Sequence, residues 1–274
     1  MDCRNTMRFE IHKNKRIGQV LFIVEGLKTE PNMLYKVFSE IFGYQMDRLF
    51  RDGVYRRYHR TDDPYSRITV INAEQSNIRF IDKDNEFLNH MFEVLIEDYQ
   101  LDIDNAAIYY LFDRDPQSNT DELFIRTMLH ELSSARDVNI NMTRQGLLLL
   151  SYPCIEGFVG MNFLTNSIQY CWTNSLCKGS ALKQRLNDEG LLNRRFDENA
   201  ILHCTDELLK SLNIIGVDTS AVSLLESLDH FSDTNVTVFD WQESVYKEKG
   251  QYGLLSLLSI ALLDLGMISM QESE

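Results

Sequence analysis

The stretch that decides the fold is Gln19-Val-Leu-Phe-Ile-Val24, which is almost entirely apolar and rich in β-branched and aromatic residues. A short run of this kind is typical of a strand that is buried on both faces of a parallel sheet. Glu25-Gly26 follows at once, Thr29 offers an N-cap, and Pro31 suits a first helical turn. The segment therefore predicts a strand, a tight loop and a helix.

Three further apolar runs predict strands at residues 67–73, 107–112 and 146–150. Apolar residues at helical spacing between them predict helices at about 85–99 and 120–136. Strands that alternate with helices form parallel sheets through right-handed crossovers. We therefore expect an α/β fold in which helices flank a mainly parallel, four-stranded sheet, and we assign it to residues 1–175.

The pattern changes after residue 175. Helices are predicted at residues 181–192, 198–212 and 219–228, and one strand is predicted at 235–240. The apolar segment 252–265 is expected to pack on a core or on a partner, since exposed apolar surface of this size is uncommon. Residues 176–274 are therefore expected to form a mostly helical C-terminal unit that contacts a partner or a second copy of the chain.

The composition is that of a folded protein, with 274 residues, 44% of them hydrophobic and 25% charged. The longest apolar stretch is too short to cross a membrane, and the first residues lack the apolar region of a secretory signal. We therefore expect a cytoplasmic protein. The five cysteines and six histidines are scattered, so they predict neither a disulfide framework nor a structural zinc site.

The net charge of −14 conceals an uneven distribution. Residues 1–60 contain 12 Lys and Arg against 7 Asp and Glu, whereas residues 61–274 contain 15 against 34. Arginines between positions 48 and 60, among them Arg56, Arg57 and Arg60, alternate with aromatic residues, as in surfaces that bind nucleic acids. A solvated loop with ordinary arginines explains the same residues equally well.

Acidic residues follow three of the four predicted strands. Glu25 follows the first, Asp113 and Asp115 follow the third, and Glu156 lies just beyond the fourth. The carboxyl ends of parallel strands share one edge of the sheet, and clustered carboxylates repel one another unless a cation is present. Hard oxygen ligands suit Mg²⁺ or Mn²⁺. Taken singly, each acid is also explained as a helix cap or a solvated loop residue.

In this order, the motifs resemble those of the Toprim fold, and most closely those of the RloB-like and OLD-related abortive-infection proteins of bacteria. The resemblance covers roughly residues 17–165 and leaves the last hundred residues unmatched. It rests on four motifs: Glu25-Gly26, Thr29-Glu30-Pro31, Asp113-Arg114-Asp115, and the run from Ser151 to Glu156.

The resemblance implies a centre that cleaves phosphodiester bonds with Mg²⁺ or Mn²⁺. In that interpretation Glu25, Asp113 and Asp115 are catalytic and bind metal, Glu156 is a further metal ligand, and Glu30 is another candidate. An acid in a first helical turn also has a purely dipolar explanation, so Glu30 is equally well explained without a metal.

Two basic residues near these motifs are candidate phosphate contacts. Lys28 lies in the loop before the predicted helix, and Arg114 lies between the two aspartates. The N-terminus of a helix favours anions, which supports the first of them. Arg114 is also compatible with a side chain that merely points to solvent.

The resemblance implies a nuclease that acts on DNA or RNA, including tRNA, in antiphage defence or toxin-like growth arrest. The chain lacks G-x-x-x-x-G-K-[ST], so control by nucleotide would require a separately encoded ATPase. A homodimer is a further candidate assembly. The main alternative is a catalytically silent Toprim-derived module that binds metal and a protein partner. Glycosyl transfer with Mn²⁺ held by the D-x-D pair is a weaker one.

Overall fold

The computed structural model describes residues 7–47, 55–73, 78–81, 86–97, 100–117, 119–138, 145–220, 223–224, 227–228 and 231–272. The strands within these ranges are β1 Met7–Ile11, β2 Gln19–Val24, β3 Gln45–Met46, β4 Tyr55–His59, β5 Arg67–Asn72, β6 Ala106–Asp113, β7 Ser133–Val138, β8 Gln145–Tyr152, β9 Leu255–Ser256 and β10 Ile268–Glu272. The helices are α1 Thr29–Tyr35, α2 Glu86–Glu97, α3 Glu122–Glu131, α4 Glu156–Phe163, α5 Tyr170–Thr173, α6 Gly179–Asp188, α7 Glu198–Ile215, α8 Ser232–Lys249 and α9 Leu258–Asp264.

A mostly parallel central sheet organises the fold. Its hydrogen-bonded order is β3-β4-β5-β2-β6-β8-β7, and β9 pairs with β8 from the C-terminal part of the chain. The four inner strands β5, β2, β6 and β8 run parallel to one another. These are the four strands that the apolar runs predict. The sheet is wider than predicted, because β3, β4, β7 and β9 add antiparallel pairs around the parallel strands.

The inner strands are continuous apolar runs because both of their faces are covered. All side chains of β2 after Gln19 are buried, as are those of β6 before Asp113 and those of β8 after Gln145. Helices therefore flank this sheet, as predicted. The burial of both faces fixes the strand ends at one edge, where the loops that follow β2, β6 and β8 come together.

Two predicted elements are wrong. The helix predicted for residues 120–136 ends at Glu131, and the chain continues as β7, which pairs antiparallel with β8. The strand predicted for residues 235–240 is part of α8. Its β-branched residues favour a strand locally, but Asn235, Val238, Phe239 and Gln242 are buried at helical spacing on one face. Tertiary packing therefore overrides the local preference.

The C-terminal part is largely helical over its described residues, and it also adds strands. The predicted helices at 181–192 and 198–212 correspond to α6 and α7, whereas part of the one predicted at 219–228 lies outside the described residues. The apolar segment 252–265 forms β9 and α9 and is almost entirely buried. In addition, β10 pairs with β1. The division between residues 175 and 176 stays a prediction.

Each helix among the described residues is too short or too polar to cross a membrane.

Candidate metal centre

An open pocket of about 320 Å³ lies at the carboxyl ends of β2, β6 and β8. Strand register explains why it forms there, since Val24 pairs with Leu111 and Leu111 pairs with Leu149. The residues that follow these strands therefore meet at one level of the sheet. Five carboxylates line the pocket: Glu25, Glu30, Asp113, Asp115 and Glu156. The structure thus brings together every acid that the sequence predicts as a metal ligand.

Glu25 is held by both strands next to β2. The Asp113 backbone N–H donates to Glu25 Oε2 at 2.9 Å. The Asn72 side-chain amide, at the end of β5, donates to the Glu25 carbonyl oxygen at 2.8 Å. One carboxylate oxygen is thereby fixed, and the side chain as a whole lines the pocket.

Glu30 closes the loop between β2 and α1. The Gly26 N–H donates to Glu30 Oε1 at 2.9 Å, and the Glu30 side chain is buried. A Cβ atom at position 26 would overlap Glu30 Oε2, so any other residue there would displace the carboxylate from its present position. Glu30 therefore has a structural role in the loop as well as a place in the pocket wall.

Asp113 is clamped to the loop that follows β8. Asp113 pairs with Ser151 at the end of the sheet, and its Oδ1 accepts the Ile155 N–H at 2.7 Å. The loop contains a cis peptide bond between Tyr152 and Pro153. The hydrogen bond from Ile155 to Asp113 brings the start of α4, and with it Glu156, close to the aspartate.

Asp115 and Glu156 are far apart in sequence but line the same pocket. Asp115 Oδ1 accepts the Gln117 N–H at 2.9 Å. Glu156 is the first residue of α4, is buried, and forms an ion pair of 2.7 Å with Lys183 Nζ. Lys183 extends from α6 and also reaches Thr29 Oγ1 at 3.4 Å.

The acids of the pocket hold more negative charge than their surroundings compensate. Burial raises the pKa of Asp113 well above its usual range, and Glu25, Glu30 and Glu156 raise it further. Burial, with smaller contributions from Glu30 and Asp115, raises the pKa of Glu25 to about 7, although the hydrogen bond from the Asp113 N–H lowers it in part. The pKa of Glu30 is raised mainly by burial. A divalent cation bound among these carboxylates would offset their repulsion and stabilise their ionised form.

These pKa shifts predict a loss of stability with rising pH when no divalent ion is present. A carboxyl whose pKa is raised on folding binds its proton more tightly in the folded state, so stability falls as pH rises from about 4.5 through 7. In EDTA, the free energy of unfolding should fall between pH 5 and pH 8. In Glu25→Gln that fall should be smaller by up to about 3 kcal/mol.

Urea unfolding at the two pH values measures this difference. Glu248→Gln, which replaces an exposed glutamate of α8, is the matched control and should keep the wild-type fall. An equal fall in Glu25→Gln and wild type would show that Glu25 is ionised as readily as in water.

Two predicted phosphate contacts are structural instead. Arg114 is 2% exposed and forms an ion pair of 2.9 Å with the buried Glu243 of α8. Its Nη1 donates to the Asn119 carbonyl oxygen at 2.7 Å. Arg60 is 9% exposed and is held by Asp62 and by the Lys13 carbonyl oxygen. Both guanidinium groups are thus occupied inside the protein, which corrects the expectation that they contact nucleic acid.

The other predicted basic residues lie outside the pocket wall. Lys28 is exposed at the N-terminal end of α1. Arg56 and Arg57 lie on β4, and Arg56 Nη1 donates to Asn32 Oδ1 at 3.0 Å. Residues 48–54, which belong to the base-rich segment, lie outside the described residues.

Several side chains of the pocket wall are not predicted from the sequence, among them Lys183 and Cys154. Lys183 is separated from the nearest predicted ligand by 27 positions along the chain, and no spacing rule connects them. The Cys154 thiol is 5% exposed and lies beside the carboxylates of Asp113 and Glu156. The only feature of the sequence that indicates a place in the pocket for Cys154 is its position in the loop after β8.

Comparison of the chain with protein-family models finds no match, and searches of curated proteins and of solved structures find none either. The geometry of the pocket is therefore the basis for assigning a function.

Proposed function

We propose that this chain is a Mg²⁺- or Mn²⁺-dependent nuclease that hydrolyses phosphodiester bonds of DNA or RNA. The observation that carries the proposal is the convergence of five carboxylates, from the ends of three strands and the first turn of α1, in one open pocket. Buried charges in proteins are paired with an opposite charge or coordinate a metal. Here Lys183 is the cationic side chain among the residues that line the pocket.

The donor set fits a hard divalent cation. Magnesium prefers oxygen ligands, retains several waters, and is commonly held by one or two carboxylates together with a substrate phosphate. The pocket is open and large enough for an ion, its waters and a phosphate group. Such an ion, when bound, polarises a phosphoryl oxygen and lowers the pKa of a bound water.

Asp113 is the central ligand of the proposed site. Its Oδ1 is engaged by the Ile155 N–H, so the side chain is held in one orientation. Asp115 would complete the set together with Glu156, whose Oε2 is the oxygen that Lys183 does not hold. Glu30 keeps the loop closed around Gly26 and so holds Glu25 at the edge of the site.

Glu25 is the proposed proton-transfer residue. Its Oε2 is fixed by the Asp113 N–H, which leaves Oε1 for a water or a leaving oxygen. Proton transfer is most effective when the pKa of the group lies near the working pH, and burial raises that of Glu25 to about 7 in the metal-free pocket. Lys28 and Arg56 are candidates for contacts with the phosphates of the substrate backbone.

The wider setting belongs to the same proposal and rests on the resemblance of the motifs to Toprim abortive-infection proteins. It comprises a role in antiphage defence or growth arrest and control by a separately encoded ATPase. The phosphodiester is common to DNA and RNA, so the proposed chemistry applies to either substrate.

The proposal predicts metal-dependent cleavage that Asp113→Asn abolishes. Purified protein is mixed with plasmid DNA, single-stranded DNA and tRNA in Mg²⁺, in Mn²⁺ or in EDTA. Cleavage of at least one substrate is expected with metal and not with EDTA. Because the central ligand is lost, the rate with Asp113→Asn should fall by at least about 100-fold.

The matched control is Asp188→Asn, which replaces an exposed aspartate at the far end of α6. It should cleave at the wild-type rate. Equal activity of wild type and Asp113→Asn would contradict the proposal, because the activity would then come from another site or from a contaminant. Metal binding without cleavage of any substrate would favour the silent interaction module.

A further inference from the structure

Cys154 places a thiol inside the carboxylate pocket. Its Sγ, one carboxylate oxygen of Asp113 and one carboxylate oxygen of Glu156 lie within 4.8 Å of one another. The Cys154 side chain is 5% exposed, and that of Glu156 is almost equally buried. A thiol and two carboxylates are thus presented to one point from the end of β6 and from the loop that follows β8.

The thiol is held in place by contacts on several sides. The Ile155 N–H bond to Asp113 Oδ1 ties the loop to the aspartate at 2.7 Å. Cys154 Sγ donates to the Gly179 carbonyl oxygen at 3.7 Å, at the start of α6. A Cβ atom at position 179 would lie 3.2 Å from Sγ, so glycine leaves room for the thiol there.

These three ligands match zinc better than magnesium. Zinc binds thiolate sulfur at about 2.3 Å and carboxylate oxygen at about 2.0–2.2 Å in a tetrahedral arrangement, so two of its ligand atoms lie about 3.5 Å apart. The three ligand atoms lie within 4.8 Å of one another and would move closer together by up to about 1 Å when the ion binds. A thiolate is a soft ligand that selects zinc, whereas magnesium takes oxygen ligands alone.

We propose that Asp113, Cys154 and Glu156 form a zinc site inside the candidate metal centre, and that zinc bound there blocks magnesium. Zinc would displace the thiol proton to solvent and would take both carboxylates. Lys183 is bonded to Glu156 Oε1, which leaves Oε2 for the ion. The inhibition of cleavage rests on the proposed function, whereas the binding of zinc does not.

A second group of potential ligands among the described residues serves as a comparison. His203, Asp206 and Glu207 also bring three ligand atoms together on α7. Lys210 forms ion pairs with both acids of this group, and Glu207 Oε2 accepts the Ser167 N–H at 2.8 Å. Both acids of this group therefore already share a cationic partner.

Cobalt titration of the metal-free protein tests the binding directly, because Co²⁺ bound to a thiolate gives a charge-transfer band in the near ultraviolet. Wild type, Cys154→Ser, Cys177→Ser and His203→Gln are compared in a non-coordinating reductant. The band is expected in all except Cys154→Ser. Zinc affinity measured by calorimetry should fall at least about tenfold in Cys154→Ser, since even outer-shell changes cost 10- to 100-fold.

Absence of the band in wild type, or its persistence in Cys154→Ser, would overturn the proposal. Loss of the band in Cys177→Ser, which replaces an exposed cysteine, would assign the metal to another thiol. X-ray absorption at the zinc edge of the wild-type protein needs no variant and should show one sulfur ligand with oxygen ligands. A shell of oxygen and nitrogen alone would refute the site even if Cys154→Ser failed to fold.

The inhibition is measured separately in the Mn²⁺-dependent cleavage assay. Zinc should inhibit wild type, and half-inhibition of Cys154→Ser, relative to its own uninhibited rate, should require at least about tenfold more zinc. Equal zinc sensitivity of the two proteins would refute the inhibitory role. If no substrate is cleaved by wild type, the proposed function fails, while the cobalt and X-ray results still decide the zinc site.

Discussion

Glu25→Gln is expected to lower the rate of phosphodiester cleavage by roughly 100- to 10,000-fold, the range typical of lost general acid–base catalysis. The substituted amide oxygen can still accept the Asp113 N–H that wild-type Glu25 accepts at 2.9 Å. The local structure is thus retained, whereas the group can no longer take up or release a proton. Single-turnover rates at saturating Mn²⁺ measure the effect on the chemical step.

The pH dependence separates this role from a purely structural one. The wild-type rate should change around the pKa of Glu25, and that dependence should be absent from the residual activity of Glu25→Gln. Glu248→Gln makes the same chemical change on an exposed surface and should retain the wild-type rate and pH profile. Wild-type activity in Glu25→Gln would remove Glu25 from the mechanism.

Arg114→Met is expected to destabilise the protein by about 3–5 kcal/mol, the usual cost of leaving one partner of a buried ion pair alone. Arg114 and Glu243 are both almost fully buried, and the guanidinium also lies over the rings of Phe239 and Tyr252. Glu243 would retain its bond from the Tyr252 hydroxyl but would lose its only paired cation among the described residues. Urea unfolding measures the loss.

Two further variants make the assignment of Arg114 specific. Arg114→Met/Glu243→Leu should recover much of the lost stability, because it removes both buried charges. Arg126→Met breaks the half-exposed ion pair between Arg126 of α3 and Asp240, which lies on α8 as Glu243 does. It should lower the free energy of unfolding by no more than about 1 kcal/mol. If Arg114→Met kept wild-type stability and weakened nucleic-acid binding, Arg114 would be a phosphate contact after all.

The parallel core of the fold was predictable because burial on both faces leaves uninterrupted apolar runs in the sequence. The antiparallel strands were not, since β4 and β7 are partly exposed and carry arginines, an aspartate and serines. At residues 235–240 the reverse happens, since a strand is predicted where the structure has a helix. Its local composition favours a strand, but Asn235 donates to the Leu148 carbonyl oxygen from a helix that packs on the sheet.

The acids of the pocket were predictable for a geometric reason. Parallel strands in register bring their carboxyl ends to one edge, so acids placed just after them must approach each other. Strand alternation continued past the end of β6 at Asp113 places Asp115 on the same side as Asp113 and directs Arg114 to the other side, where it contacts α8. The same rule that selects the two aspartates therefore argues against Arg114 as a phosphate contact.

Lys183 and Cys154 could not be recognised as pocket residues from sequence. Lys183 reaches the site only because α6 packs beside α4, a tertiary contact with no local signature. The sequence predicts Cys154 to be a buried hydrophobic residue. In the structure, the hydrogen bond from the Ile155 N–H to Asp113 brings its loop to the carboxylates. Long-range contacts of this kind determine how the site is completed, and they depend on the packing of whole elements.

The central claim is that acids from separate strand ends bind one divalent ion, and calorimetric titration with Mn²⁺ tests it most directly. Wild type is expected to bind Mn²⁺ saturably. Asp113→Asn should bind at least about tenfold more weakly, and Asp188→Asn should match wild type. Failure of wild type to bind, or equal affinity in wild type and Asp113→Asn, would contradict the account.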